Sequence, residues 1–201
     1  MPSTITKTQG TSLLAWQDIA TANVVVGSAQ DVSTKLAATV FIKVARRSGS
    51  AFTTGWPNIR IEASAKSSGT AEWYPLATFQ PAVGASIANT TLNGAVSANA
   101  STFTVTAATN IAAGDLLFLG DSSTTNYELV RVKSVSGTTI TPEENVTNAH
   151  ANSAIVTDQA EMYVASIDLT AVGRIRAVAD NANSGQSISV QVLMVTGDSI
   201  G

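Results

Sequence analysis

Asn58-Ile59-Arg60-Ile61-Glu62-Ala63-Ser64-Ala65-Lys66 alternates apolar and polar residues along its whole length. Successive Cβ atoms of a strand point to opposite sides of the pleat, so a period of two marks a strand with one face buried. Ile59, Ile61, Ala63 and Ala65 are therefore expected to face a core, and Arg60, Glu62, Ser64 and Lys66 to face water.

The pattern extends outward in both directions. Val24-Val25-Val26 is short and β-branched, and Val40-Phe41-Ile42-Lys43-Val44-Ala45-Arg46 places Val40, Ile42 and Val44 on one face. Trp73 to Phe79 is a further strand, in which Pro75 predicts an edge or bulge position because proline cannot donate to a ladder. Arg47-Ser48-Gly49-Ser50 and Ser67-Ser68-Gly69-Thr70 supply turns between these runs. Beyond Asp158, Glu161 to Leu169, Arg174 to Ala179 and Ser187 to Val195 read as three more strands. Three strands in so short a tail are too little for a domain of their own, so they are expected to complete the sheet begun by residues 24 to 80.

Near Gly84 the chain changes character. Residues 86–157 hold Asp115, Asp121, Glu128, Glu143 and Glu144 against only Arg131 and Lys133, which accounts for the whole formal charge of -3. Trp16, Trp56 and Trp73 all precede this segment. Thr102 to Thr106, Leu116 to Leu119, Glu128 to Val135 and Thr138 to Thr141 are strand candidates within it, with Ser136-Gly137 as a tight hairpin signal. The expected fold class is all-β: a jelly-roll-like β-sandwich from 19–85 and 158–201, with a small β-barrel-like domain, 86–157, inserted in a loop. Residues 1–18 read as an N-terminal arm, polar except for Leu13-Leu14-Ala15-Trp16, which can pack on its own domain or on a neighbour. No helix is signalled, because Gly84, Gly94 and several Asn and Thr residues interrupt the Ala-rich run from Ala82 to Ala100.

Composition narrows the function. The 201 residues are 44% hydrophobic and 12% charged, with a mean hydropathy of +0.19, against a disordered chain. A net charge of -3 gives no basic footprint for nucleic acid or an anionic membrane. No run reaches the roughly 18 apolar residues of a membrane helix, and the start shows no signal-peptide pattern. The absence of cysteine removes disulfides, thiolate metal sites and cysteine nucleophiles.

The remaining chemical candidates are weak on their own terms. Gly197-Asp198-Ser199-Ile200-Gly201 matches the G-x-S-x-G nucleophile elbow, but that motif needs a following helix, and the sequence stops at Gly201. Gly120-Asp121-Ser122 is ordinary turn chemistry. His150, the single histidine, sits in the polar run Thr147-Asn148-Ala149-His150-Ala151-Asn152 and reads as a surface or hydrogen-bonding residue. Glu143-Glu144 would point to opposite faces of a strand and reads as a solvated turn. Asp180-Asn181-Ala182-Asn183-Ser184-Gly185 has Ala182 where a calcium loop needs a ligand, and reads as a hairpin. Arg46-Arg47 and the pair Arg174 and Arg176 are expected at solvent faces or protein contacts. Asn89, Asn99 and Asn145 begin N-x-[ST] triplets of the kind chance produces in a Thr- and Ser-rich chain. No catalytic, cofactor-binding or metal-binding residue is expected, and no cofactor.

Two stretches resemble known proteins. Ser101 to Thr106, Ala112-Ala113-Gly114-Asp115-Leu116-Leu117, Glu128 through Ile140 and Asn148-Ala149-His150-Ala151 resemble a small β-barrel module of tailed-phage structural proteins. The flanking halves, above all Leu169-Thr170-Ala171-Val172-Gly173-Arg174-Ile175-Arg176-Ala177-Val178-Ala179-Asp180-Asn181, resemble the β-sandwich of phage head decoration, or cement, proteins. The resemblance implies a non-enzymatic protein on the capsid surface, assembled in the host cytoplasm, trimeric, and bound to the major capsid protein rather than to nucleic acid or membrane. The alternative is a tail, neck or fibre-associated protein whose inserted domain binds a receptor or glycan. A hydrolase built on Ser199 or His150 is the third.

Overall fold

The computed structural model describes residues 7–47, 57–81, 87–121, 126–182 and 184–198. Among them only strands form. The first six are β1 (Lys7–Ile19), β2 (Val24–Val26), β3 (Gln30–Asp31), β4 (Lys35–Arg46), β5 (Asn58–Ser64) and β6 (Tyr74–Phe79). Then come β7 (Asn89–Thr91), β8 (Phe103–Thr104), β9 (Leu116–Gly120), β10 (Tyr127–Ser136), β11 (Thr139–Pro142) and β12 (Ile155–Thr157). The last are β13 (Ala160–Asp168), β14 (Arg174–Asp180) and β15 (Ile188–Asp198).

All pairings are antiparallel, and they sort the strands into a sandwich and a third sheet. One sandwich sheet has the order β1-β15-β4-β13, and the other β2-β14-β5-β6, with β3 also pairing with β14. Val40, Ile42 and Val44 of β4 meet Ile59, Ile61, Ile175, Val190 and Val192 in the core between them. These are the inward positions that period-two alternation requires. Pro75 lies on the edge strand β6 beside an irregularity in its register with β5, where a missing N–H does least harm.

Strands β7 to β12 pair only among themselves, in the order β7-β12-β9-β10-β11-β8. The two ends of this sheet meet again through a bridge between Leu92 and Val105 and a 2.9 Å bond from the Thr106 N–H to the Thr91 carbonyl. The sheet thus curls back on itself around its own core of Leu92, Val105, Leu117, Leu119, Val132, Ile140 and Val156. The β10–β11 hairpin turns on Gly137-Thr138, one residue later than Ser136-Gly137, since Ser136 pairs with Thr139. Gly137, at φ 60°, supplies the positive φ that a two-residue hairpin loop needs at its first position.

Several expectations are corrected. Residues 7–18, within the segment read as an arm, form with Ile19 a strand along β15, and Leu13 and Leu14 are buried in the sandwich core, which is the own-domain alternative. Glu62 and Ser64 do not face water but are buried, and Ala65 is exposed. Glu62 lies under the guanidinium groups of Arg60 and Arg176, at 3.3 and 2.7 Å, and Arg176 in turn stacks on Trp73. Residues 180–185 do not make a hairpin, because β14 and β15 belong to different sheets. The chain crosses there between the layers, held by buried Asn181, whose side-chain amide donates to the carbonyls of Ile19, Ala20 and Gln186. Asn183 lies outside the described residues.

Candidate functional site

The outward side of the β1-β15-β4-β13 sheet is built from the positions that alternate with the core. Cross-strand register makes rows of them: Ala160, Ala45, Ser189 and Asp18 at one end, then Met162, Lys43 and Gln191, then Val164, Phe41, Leu193 and Ser12, then Ser166, Thr39 and Val195. The first row is covered. Phe118 and Tyr127, from β9 and β10 of the curled sheet, pack there with Ala45, Ala160 and Trp16. Trp16 lies parallel to Phe118 at 6.3 Å, and Tyr127 sits 5.7 Å from Trp16 and 5.6 Å from Phe118.

Polar groups lock this junction. The Tyr127 hydroxyl donates to Asp18 at 2.8 Å, and Arg47 pairs with Asp18 while donating to the Tyr127 hydroxyl and the Asp121 carbonyl. Burial and the Asp18 carboxylate push the Tyr127 phenol above its ordinary range, so it stays a donor. Arg46 is fully buried, donates from Nη2 to the Ala88 carbonyl at 2.8 Å and lies 3.8 Å from Asp158. Its own carbonyl accepts the Thr157 hydroxyl. Arg46 and Arg47, expected at a solvent face or a protein contact, instead tie the sandwich to the segment inserted in it. That outcome follows from both ends of the insertion entering and leaving beside the end of β4.

The other rows are open. Phe41 is 39% exposed, Met162 49% and Val164 65%, and Lys43 is the one charged side chain among the residues of these rows. A depression of about 300 Å³ lies against them, lined by Ala37, Thr39, Phe41, Val195 and Gly197. The opposite outer face, on β5 and β14, carries Arg60, Glu62, Arg174, Arg176 and Asp180, joined by ion pairs and by contacts of both Arg174 and Arg176 with Trp73. This second face concentrates charge on its middle strands and has exposed Val24 and Val26 at its β2 edge, whereas the first carries Phe41, Met162 and Val164 as an apolar patch of the kind that marks interaction sites.

Among the chemical candidates, His150 is buried rather than superficial. It lies 3.2 Å from Glu128 through Nε2 and 3.9 Å from Asp121 through Nδ1. Glu128 also accepts the N–H groups of Thr147 and Asn148, so the three residues fasten the loop before β12 onto β10. Burial alone would raise the Glu128 carboxyl, but the bonds from His150, Thr147 and Asn148 outweigh it and hold the group below its ordinary 4.5. A carboxyl depressed in the folded state contributes stability that is present above pH 4.5 and lost as pH falls through the lower folded value. Glu128→Gln is therefore expected to flatten the acid limb of stability against pH, followed by chemical denaturation from pH 6 to 3. An acid limb as steep as that of the parent would contradict this role.

Ser122 and Ser199 lie outside the described residues. Glu143 and Glu144 are exposed in a bend. Among the described residues no group of three His, Cys, Asp or Glu side chains is disposed to hold a metal ion. The open sheet face is the feature that motif reasoning missed. Its signal was present in Phe41, Met162 and Val164, apolar residues standing on the polar phase of otherwise alternating strands.

No protein-family model matches the sequence, and no curated protein does. Among solved structures the chain is similar to the Gp54 tailspike of Acinetobacter baumannii bacteriophage AP22, solved in complex with A. baumannii capsular saccharide. The identity is 25% over 36% of this chain, with a TM-score of 0.33, and the match spans 14% of the tailspike's length. It is also similar to the SPBc2 prophage-derived protein YomS, at 10% identity over 98% of both chains, with a TM-score of 0.33.

Proposed function

We propose that this chain is a non-enzymatic structural protein of a phage virion, of the head decoration type, which docks on the major capsid shell and stabilises it. The observation that carries the reading is the open apolar face on one side of the sandwich, set beside a locked junction. A shell-binding face works best with few ions to desolvate, and charged residues are depleted at interface cores. The buried arginine and stacked aromatics hold the 86–157 segment at a fixed attitude next to that face, as a unit displayed from a docked base would need. The phage assignment and a trimeric state rest on the resemblance of residues 101–151 and 169–181.

The test is sedimentation of the protein with purified capsids, followed by electron microscopy of the particle. Phe41→Asp places a charge in the centre of the docking face while leaving the core untouched, and is expected to weaken shell binding roughly 10- to 100-fold. Its melting temperature serves as the control for folding. Parent protein that fails to bind shells, or density at the tail with glycan binding confined to residues 86–157, would replace this reading with the tail-associated one.

A further inference from the structure

We infer that the open edge of β13 is a self-association edge, at which a second copy of this chain pairs antiparallel through its own β13 about a two-fold axis at Val164. Edge strands offer unpaired N–H and C=O groups, and proteins ordinarily blunt them with short length, bulges, proline or charge. Three of the four sandwich edges are blunted in this way. β1 has three irregularities of register against β15, β2 has three residues, and β6 carries Pro75 beside a register shift. β13 has neither the short length, the bulges nor the proline, and its charges, Glu161 and Asp168, stand toward its two ends. Its nine residues pair with β4 without interruption, and it contains no proline, lysine or arginine.

The ladder fixes which groups are free. The Arg46 N–H bonds to the Gln159 carbonyl and the Leu169 N–H to the Leu36 carbonyl, both at 2.9 Å. Alternation along an antiparallel ladder then assigns the odd-numbered residues of β13 to β4 and turns the N–H and C=O groups of Met162, Val164 and Ser166 to the open edge. The same three residues send exposed side chains to the apolar outer face, which runs on from the covered row at the junction.

Full overlap favours a second copy in one register, and charge does not oppose it. All nine residues overlap when Val164 faces Val164 of the second copy, with Met162 opposite Ser166 and Ala160 opposite Asp168. Glu161 then meets Ile167, and no like charges are opposed. Lys43, beside Met162 in its own sheet, comes next to the row of Thr39 rather than to the other Lys43. Sliding the pairing one step toward the start of the strand runs its first rung into the bend at Asp158, outside β13, and leaves fewer residues paired. The result is an isologous contact, in which each patch is its own complement and two four-stranded sheets become one of eight. It goes beyond the proposed function, since the contact needs no shell and, being two-fold, is separate from any three-fold contact and would join one trimer to another.

The chain has no cysteine, so an introduced thiol is the sole one. In a hydrogen-bonded antiparallel pair the facing Cα atoms are about 5.5 Å apart, within disulfide range. Val164→Cys, oxidised in dilute solution or treated with a short bismaleimide, is expected to give at least roughly tenfold more covalent dimer on a non-reducing gel than Ser166→Cys, whose thiols lie off the axis, or Ser68→Cys in an exposed turn. Val164→Lys is expected to weaken concentration-dependent association in analytical ultracentrifugation by about tenfold or more, with an unchanged circular dichroism spectrum. Cross-linking of Val164→Cys no greater than that of Ser68→Cys, or equal to that of Ser166→Cys, would overturn the inference. Shell binding by the parent chain that is lost in Phe41→Asp would leave the decoration role standing whichever way the cross-link falls.

Discussion

Arg46→Ala is expected to destabilise the protein by about 3–5 kcal/mol, the cost of breaking a buried ion pair by removing one partner. Arg46 is wholly buried, and its loss leaves the Ala88 carbonyl without its guanidinium donor and Asp158 without its counter-charge. Asp158 sharpens the test. Burial already raises its carboxyl above the ordinary value, against the opposing pull of the Ala88 N–H and the Arg46 charge. Without Arg46 it rises further. A group whose folded pKa is raised favours the folded state more as it takes up its proton. The difference between Arg46→Ala and the parent should therefore be largest at neutral pH and shrink on acidification. Asp158→Asn in the Arg46→Ala background should recover part of the loss, because it removes the stranded charge. A deficit that is constant with pH and indifferent to Asp158→Asn would show that only side-chain packing had been lost.

The strand at Arg46 also shows what was legible in the sequence. The alternation that puts Val40, Ile42 and Val44 inward continues, two residues on, to Arg46. A consistent period thus already placed this arginine on the core side. What the period could not supply was the reason a charge is tolerated there. Its partners Ala88, Thr157 and Asp158 come from the far ends of the insertion and meet it only when the insertion folds back. The same limit applies at Glu62, whose burial depends on Arg176, 114 residues away. It applies at His150 too, which reads as a polar loop residue until Glu128 and Asp121 are brought to it. Local alternation was enough for Val40, Ile42 and Val44 of β4 and for Ile59, Ile61 and Ala63 of β5, which all face the core. It was not enough for β7 and β12, three residues each, which are strands because β9 offers β12 an edge and β12 in turn offers one to β7. The open apolar face has the same origin: period-two reading sees Phe41 and Val164 as outward, but only the sheet order puts them in one row.

The second large effect is expected at Phe118. Leu117 and Leu119 point into the core of the curled sheet, whereas Phe118 between them points out of it, fully buried against Trp16, Tyr127, Ala45 and Ala160. Phe118→Ala should cost about 3–5 kcal/mol, as large-to-small changes at buried aromatics do. The loss falls on the coupling between the two cores rather than on either one. The parent is expected to melt in a single calorimetric transition, and Phe118→Ala in two, with the 86–157 segment unfolding apart from the sandwich. Leu119→Ala, by contrast, should lower the stability of the curled sheet itself without removing the ring that couples it to the sandwich. Gly120 supplies an independent check, since a Cβ there would stand 2.4 Å from the Phe118 ring. Gly120→Ala alone should be strongly destabilising, yet in the Phe118→Ala background the methyl group enters the space the ring has left, and the penalty should largely vanish. Simple addition of the two losses would mean that Gly120 is constrained by its backbone and not by the ring, and that the junction is held chiefly by Arg46 and Arg47.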